Sequence, residues 1–397
     1  MTPNWYASVM GTGIVATAAV TLPVHVAGLH AFATVVWLLA ATLLVALTVA
    51  AVRRPRAHFA DPVMAHFYGA PPMAMLTVGA GTLLLGRDLV GPGAALAIDA
   101  VLWTAGTLAG LGTAIAVPYL QFTKHEVGDQ SAFGGWLLPV VPPMVSAATG
   151  ALLVPHVPAG QLRLALVLAC WAMFGMSLLA SFVIITLIWG RLAVHKVGPA
   201  RLVPTLWIVL GPLGQSITAA NLLGGVSGPV VPAPYGRAMA VFGVLYGVPV
   251  WGFAMLWMAL AAAVTLRAAR VDLPFSPAWW SFTFPVGTVV TGTSALALHT
   301  GSGLFRAVAV LLYALLVGAW AVVGGRTLGQ LGYSVRPQRR VPHDVDPVMA
   351  GGPVEGADGV FASMSGMSGT LPEHHVRRIW PVADRRSRRD HAAGRLD

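Results

Sequence analysis

Residues 134–154 read GGWLLPVVPPMVSAATGALLV, and residues 162–190 read LRLALVLACWAMFGMSLLASFVIITLIWG. Each is long enough to cross a bilayer core, which takes about 20 apolar residues per helix. They differ in texture. The first carries Pro139, Pro142, Pro143 and Gly150 together with Ser146 and Thr149, whereas the second is smooth and aliphatic apart from Arg163 near its start. Proline inside a helix removes a hydrogen bond, and lipid does not tolerate the freed carbonyl unless protein or water satisfies it. The pair therefore predicts one membrane helix shielded inside a bundle, followed by one that faces lipid.

The same alternation runs through the chain. Charge islands and loop residues delimit apolar spans near 5 to 28, 30 to 52, 67 to 86, 94 to 118, 134 to 154, 162 to 190, 203 to 224, 237 to 266, 278 to 299 and 303 to 325. Helix breakers fall in the odd spans: Gly11, Gly13 and Pro23, then Pro71, Pro72, Gly79 and Gly81, then the set above, then Gly211, Pro212 and Gly214, then Pro285, Gly287 and Gly292. Even spans are smoother, with Pro249 the exception. Polar uncharged residues follow the breakers: Thr12, Thr77, Ser146, Thr149, Gln215, Ser216, Asn221, Thr283, Thr288, Thr291, Thr293 and Ser294 all lie in odd spans. The pattern is a weak internal repeat of five helical hairpins. It predicts an all-α polytopic membrane protein whose odd helices surround a cavity and whose even helices form an outer layer. In this reading Pro71, Pro72, Pro142, Pro143, Pro212 and Pro285 kink the inner helices, and Thr12, Thr77, Ser146, Thr149, Gln215, Ser216, Asn221, Thr288 and Thr291 are candidate pore-lining residues. Ser, Thr and Gly also serve simply to pack membrane helices together, and Gly106 and Gly110 in span 4 have the spacing for that role.

Composition agrees with the bilayer as solvent. Of 397 residues 56% are hydrophobic and 10% charged, against roughly 25% charged for a soluble domain. The formal net charge of +10 does not point to nucleic acid, because ten of the 24 Lys and Arg lie between Arg336 and Arg395 and most others sit in loops. Loops on the N-terminal side hold Arg53, Arg54, Arg56, Lys124, Arg191, Lys196, Arg201, Arg267 and Arg270, and the opposite loops hold Arg87, Arg163, Arg237 and Arg306. By the positive-inside rule both termini are expected in the cytoplasm of a cell-membrane protein. The N-terminus lacks the basic n-region of a signal peptide and reads as a retained first helix.

No Asp, Glu, Lys or Arg lies in the middle of an odd span, which leaves neither a proton relay nor a cation site. Hydroxyls, amides and helix-terminal donors can replace part of an anion's hydration shell without binding it tightly, and a doubly charged dicarboxylate is expected to need an Arg clamp. Small inorganic anions are therefore favoured over C4-dicarboxylates. Asp99, one turn into span 4, reads as an interfacial or hydrogen-bonded structural acid, and His25, His30, His58, His66, His125 and His299 as interfacial. Cys170 is alone in an apolar run. No metal site, cofactor or catalytic set is expected, since an embedded enzyme would need convergent acids or a Ser/His pair.

Four motifs, NWYASVMGTGI from residue 4, WLLPVVPPMVSAATG from 136, LGPLGQS from 210 and AWWSFTFPVGT from 278, resemble the tellurite-resistance/dicarboxylate transporter family of the voltage-dependent anion channel superfamily. That family includes plant slow anion channels, fungal malate permeases and fungal sulfite pumps. The resemblance covers residues 4 to about 288 by motif and extends to about 325 by hairpin count. It implies ten transmembrane helices in five hairpins around a quasi-fivefold axis, odd helices lining a central pore, and a homotrimer with one pore per protomer. In channel members a phenylalanine in the ninth helix occludes the pore; the matching residue is Phe284, beside Pro285. The motifs do not separate chloride, nitrate, sulfite and organic-acid transport, nor do they give its direction. The expected transport domain is 1–332.

From Tyr333 the sequence turns to Gly, Pro, Ser and charge, and apolar periodicity vanishes. Such a segment buries too little surface to fold alone, so 333–397 is expected to be a disordered, basic cytoplasmic tail. Its Arg clusters at 377–378 and 385–389 suit anionic lipid and equally a solvated tail.

Overall fold

The computed structural model describes residues 2–54 and 57–335, and among these all regular structure is helical. The expectations for Arg56 and for the segment from 336 onward lie outside the described residues. Ten principal helices run α1 (Tyr6–Thr21), α2 (Leu29–Arg53), α3 (Ala70–Gly81), α4 (Pro92–Thr123), α5 (Pro142–Leu153), α6 (Gln161–His195), α7 (Leu210–Ser227), α8 (Tyr235–Ala269), α9 (Phe284–Thr300) and α10 (Gly303–Val335). A π turn over Thr82–Gly86 carries α3 on into Arg87–Val90.

Eight continuous helical stretches among the described residues are long and apolar enough to cross a membrane. They include all five even helices, and three odd ones counted with their leading turns. The other two odd helices, α1 with 16 residues and α5 with 12, are shorter. The difference has a local cause. Each odd helix is preceded by a 3-10 segment: Pro3–Trp5, Met64–Gly69, Gly134–Leu137, Ala200–Val209 and Pro277–Phe282. An apolar stretch of bilayer length is thus divided into a tight 3-10 part and a true α part. Four of the five α parts hold proline in their first three residues. Pro71, Pro72, Pro142, Pro143, Pro212 and Pro285 therefore start helices, where the missing N–H has no intrahelical partner to lose. They do not kink helix interiors as expected from the sequence.

Burial follows the odd-even alternation. Within their most apolar windows the stretches ending in α7 and α9 are 89% buried, while α8 is 17% buried. Each odd helix packs against the even helix that follows it, and the odd helices also touch one another in the cyclic order α1, α3, α5, α7, α9 and back to α1. Close approach in this ring requires glycine. A Cβ added at Gly214 of α7 would stand 2.4 Å from the backbone of Thr288 and Val289 in α9, and one added at Gly69 would stand 1.9 Å from the carbonyl oxygen of Leu138. Between layers, Gly106 of α4 lies against Leu76 and Gly110 against Pro142, as their spacing predicts. Trp side chains tie outer to inner helices: Trp103 donates to the Ser146 carbonyl at 2.9 Å and Trp251 to Thr293 Oγ1 at 3.0 Å.

Two expectations need correction. His66 is buried, 2% exposed, between the parallel ring of Trp136 and the edge-on ring of Phe133, because the 3-10 turn that carries it lies in the inner layer. Asp99 is fully buried, and neither carboxyl oxygen has a hydrogen-bond partner among the described residues. It faces Gly79 of α3, where an added Cβ would lie 2.7 Å from Oδ1.

Candidate functional site

The five 3-10 to α junctions meet around one small cavity of about 30 Å³. Its wall takes Met10 from α1, Ala70 and Met73 from α3, Val141 just before α5, Gly211 and Pro212 from α7, and Phe284 and Pro285 from α9. At about 10–15 Å³ per water-sized sphere it has room for two or three waters. The N-terminal ends of α-helices, each carrying roughly half a positive charge, therefore border a common space. First-turn N–H donors are scarce there, contrary to the expected helix-terminal donors: prolines lack them, and the Ala70 N–H already donates to the Phe67 carbonyl. The cavity offers an anion a favourable field with few direct bonds.

A second cavity of about 100 Å³ lies further along the helices. All five odd helices contribute to it, through Thr17 and Thr21 of α1, Thr77 of α3, Thr149 of α5, Gln215 and Thr218 of α7, and Thr291 of α9. Among the described residues, no Asp, Glu, Lys, Arg or His lines either cavity, and Phe284 alone lines both; it is 3% exposed. Its position is fixed locally: Thr283, φ −103° and ψ −74°, ends the 3-10 segment with its hydroxyl donating to the Trp280 carbonyl at 2.7 Å, and Pro285 locks the next residue into α9.

Of the nine expected lining residues, Thr77, Thr149, Gln215 and Thr291 come together on the second cavity. The other five turn to neighbouring helices. Thr12 Oγ1 accepts from Trp320 at 3.1 Å, Ser146 Oγ from Thr107 at 2.9 Å, and Ser216 Oγ from Tyr246 at 2.8 Å. Asn221 Nδ2 donates to the Gly243 carbonyl of α8 at 3.1 Å, and the Thr288 hydroxyl sits 2.7 Å from the Pro285 carbonyl and 3.2 Å from that of Leu210. Thr17, Thr21 and Thr218 belong to the lining and were not singled out. Thr218 was findable, because it stands three residues after Gln215 on the same helical face, whereas Ser216 and Asn221 lie off that face.

The polar lining divides by chemistry. Thr77 and Thr149 donate to carbonyls four residues back, at 2.7 and 2.9 Å, and Thr218 and Thr291 share a 2.7 Å hydrogen bond. These hydroxyls offer an ion a donor only by rotating. Gln215 has no side-chain hydrogen bond among the described residues, so its amide is the one group on the second cavity with donors already uncommitted, while on the first cavity the buried Trp280 Nε1–H has no partner among the described residues.

The family model of the voltage-dependent anion channels matches residues 1–328. Among curated relatives, the sulfite efflux pump of Arthroderma otae is 28% identical over 339 residues, covering 82% of this chain and 89% of the pump. The sulfite efflux pump of Candida albicans is 26% identical, covering 76% of this chain and 67% of that protein. An uncharacterized transporter of Methanocaldococcus jannaschii is 26% identical, covering 81% of this chain and 90% of its own length.

Proposed function

Because the chain belongs to the voltage-dependent anion channel family, we propose that it exports small inorganic anions, sulfite foremost, through a path along the axis of its five odd helices. Anion transport follows from the family. The relatives named as sulfite efflux pumps support both the substrate and the direction. The observation that carries the path is the pair of stacked cavities, each walled by all five odd elements and separated by Phe284.

In this reading the ten helices are ten spans, five hairpins around a quasi-fivefold pore, and Phe284 is its gate. Thr77, Thr149, Gln215 and Thr291, with Thr17, Thr21 and Thr218, line it; Thr12, Ser146, Ser216, Asn221 and Thr288 hold the surrounding helices in place. A closed ring fills the cross-section, and its apolar face makes the constriction costly for a hydrated anion. Helix-end fields draw the ion in, and the scarcity of fixed donors keeps it from staying. The neutral lining weighs against C4-dicarboxylates, which would need a paired cation, and the chemistry is passage, not catalysis.

The protein would sit in the cell membrane as a homotrimer with both termini cytoplasmic and a transport domain of 1–332. Reconstituted protein in proteoliposomes should pass sulfite, chloride and nitrate well above malate. Malate flux equal to that of sulfite would overturn the substrate assignment.

A further inference from the structure

A cavity larger than either of these lies off the path. A groove of about 470 Å³ opens between α2 and α10, against the start of α1. Leu39, Leu43 and Leu47, spaced one turn apart, form its α2 wall, and Gly324 and Gly325 form much of the α10 wall. The two outer helices meet edge-to-face at Phe32 and Trp320, centroids 6.5 Å apart, and the groove lies toward their Arg53 and Leu328 ends. Trp280 forms its inner side and also lines the small cavity beneath Phe284. One indole thus stands between groove and pore.

The groove's lining is largely apolar and suits a hydrocarbon chain, the one buried polar atom in it without a partner among the described residues being Trp280 Nε1. Ser8 donates to the Trp5 carbonyl at 2.7 Å and Thr327 to that of Val323 at 2.8 Å, while the Thr12 hydroxyl accepts from Trp320. The remaining lining is aliphatic, aromatic or glycine. Its outer edge is open to the bilayer: Leu39 is 44% exposed and Leu328 71%. Positive charge gathers at one end. Exposed Arg53 and Arg54 close α2 about two turns past Leu47.

We propose that this groove is a binding site for an anionic phospholipid, its acyl chain lying between Leu43 and Gly324 and its phosphate held by Arg53 and Arg54. Basic residues beside gaps between membrane helices hold acidic headgroups in this way. Each buried methylene adds favourable transfer energy only where the groove stays unfilled, and the two glycines keep it so. A Cβ at either Gly324 or Gly325 would meet no atom within 4 Å, so a larger side chain can be accommodated without disturbing the bundle.

Native mass spectrometry of protein purified from vesicles of phosphatidylcholine with a minor fraction of phosphatidylglycerol tests the site without reference to transport. Wild type should retain phosphatidylglycerol, and Gly324→Leu, which fills the groove, should not. Arg53→Gln with Arg54→Gln leaves the groove open and should weaken retention by about fivefold for each charge removed, which keeps the proposal testable if the filled variant folds poorly. Equal phosphatidylglycerol retention by wild type and Gly324→Leu would overturn it, as would retention that ignores the Arg pair. Break-up of an oligomer by Gly324→Leu, with lipid retention unchanged, would assign the groove to a second copy of the chain instead.

Discussion

Replacing Phe284 by Ala removes the one side chain common to both axial cavities, joining about 30 Å³ on one side to about 100 Å³ on the other through the volume the ring vacates. Two effects then compete. An ordinary core Phe→Ala substitution costs about 3–5 kcal/mol, with the void term growing by about 24 cal/mol per Å³. Here the ring already borders open space on two sides, so the cost should fall near 3 kcal/mol, the lower end of that range. The gain is kinetic. Every 1.36 kcal/mol taken off the barrier raises the rate about tenfold, and in the proposed reading the mutation removes both the block and the apolar surface that separates the two cavities. Anion current from reconstituted Phe284→Ala protein should therefore exceed wild type by about tenfold or more, with Phe284→Leu between the two and Phe284→Tyr near wild type. Size-exclusion behaviour and thermal melting establish that each variant is assembled. A folded Phe284→Ala protein with unchanged or reduced current would show that the ring only packs the core.

Gln215→Leu keeps the side chain's bulk but deletes the uncommitted amide; hydrogen bonds to charged groups are worth about 1.5–3 kcal/mol, so sulfite flux at low concentration should fall roughly tenfold with little change in melting. Flux equal to wild type would remove Gln215 from the ion's path. Gly214→Ala forces a methyl to within 2.4 Å of the α9 backbone; overpacking of this kind costs about 1–3 kcal/mol or more, and an unaltered thermal transition would contradict the close crossing of α7 and α9. Ala57→Cys, in the loop after Arg53 and Arg54, should resist an impermeant thiol reagent in intact cells if that loop is cytoplasmic, and ready labelling would reverse the orientation.

The layering was legible because lipid is an exacting solvent. Proline, glycine and hydroxyls at 139–150 mark a helix that cannot face hydrocarbon, and the smooth run at 162–190 marks one that can. The orientation of individual polar residues was not legible. Thr77 and Ser146 look alike in sequence, yet one faces the cavity and the other accepts from Thr107 of α4, a partner 39 residues away in the chain. The prolines gave the right segments and the wrong geometry, because proline suits the first turn of a helix as well as it disrupts the middle. Nothing local distinguishes these until the 3-10 segment before each is seen. Asp99 was misread for a related reason: its neighbour is the missing side chain of Gly79, and an absence on another helix leaves no trace at position 99.

The most direct test of the central path compares Thr218→Cys, on the second cavity, with Ser216→Cys, two residues away and turned toward Tyr246, both in the open Phe284→Ala background. The native thiol of Cys170 is buried in the second layer of packing, against Gly150, and serves as its own control. An anionic methanethiosulfonate reagent should block anion current through the Thr218→Cys protein and leave the Ser216→Cys protein unaffected. Equal block of both, or block of Ser216→Cys alone, would contradict an anion path along the axis of the five odd helices.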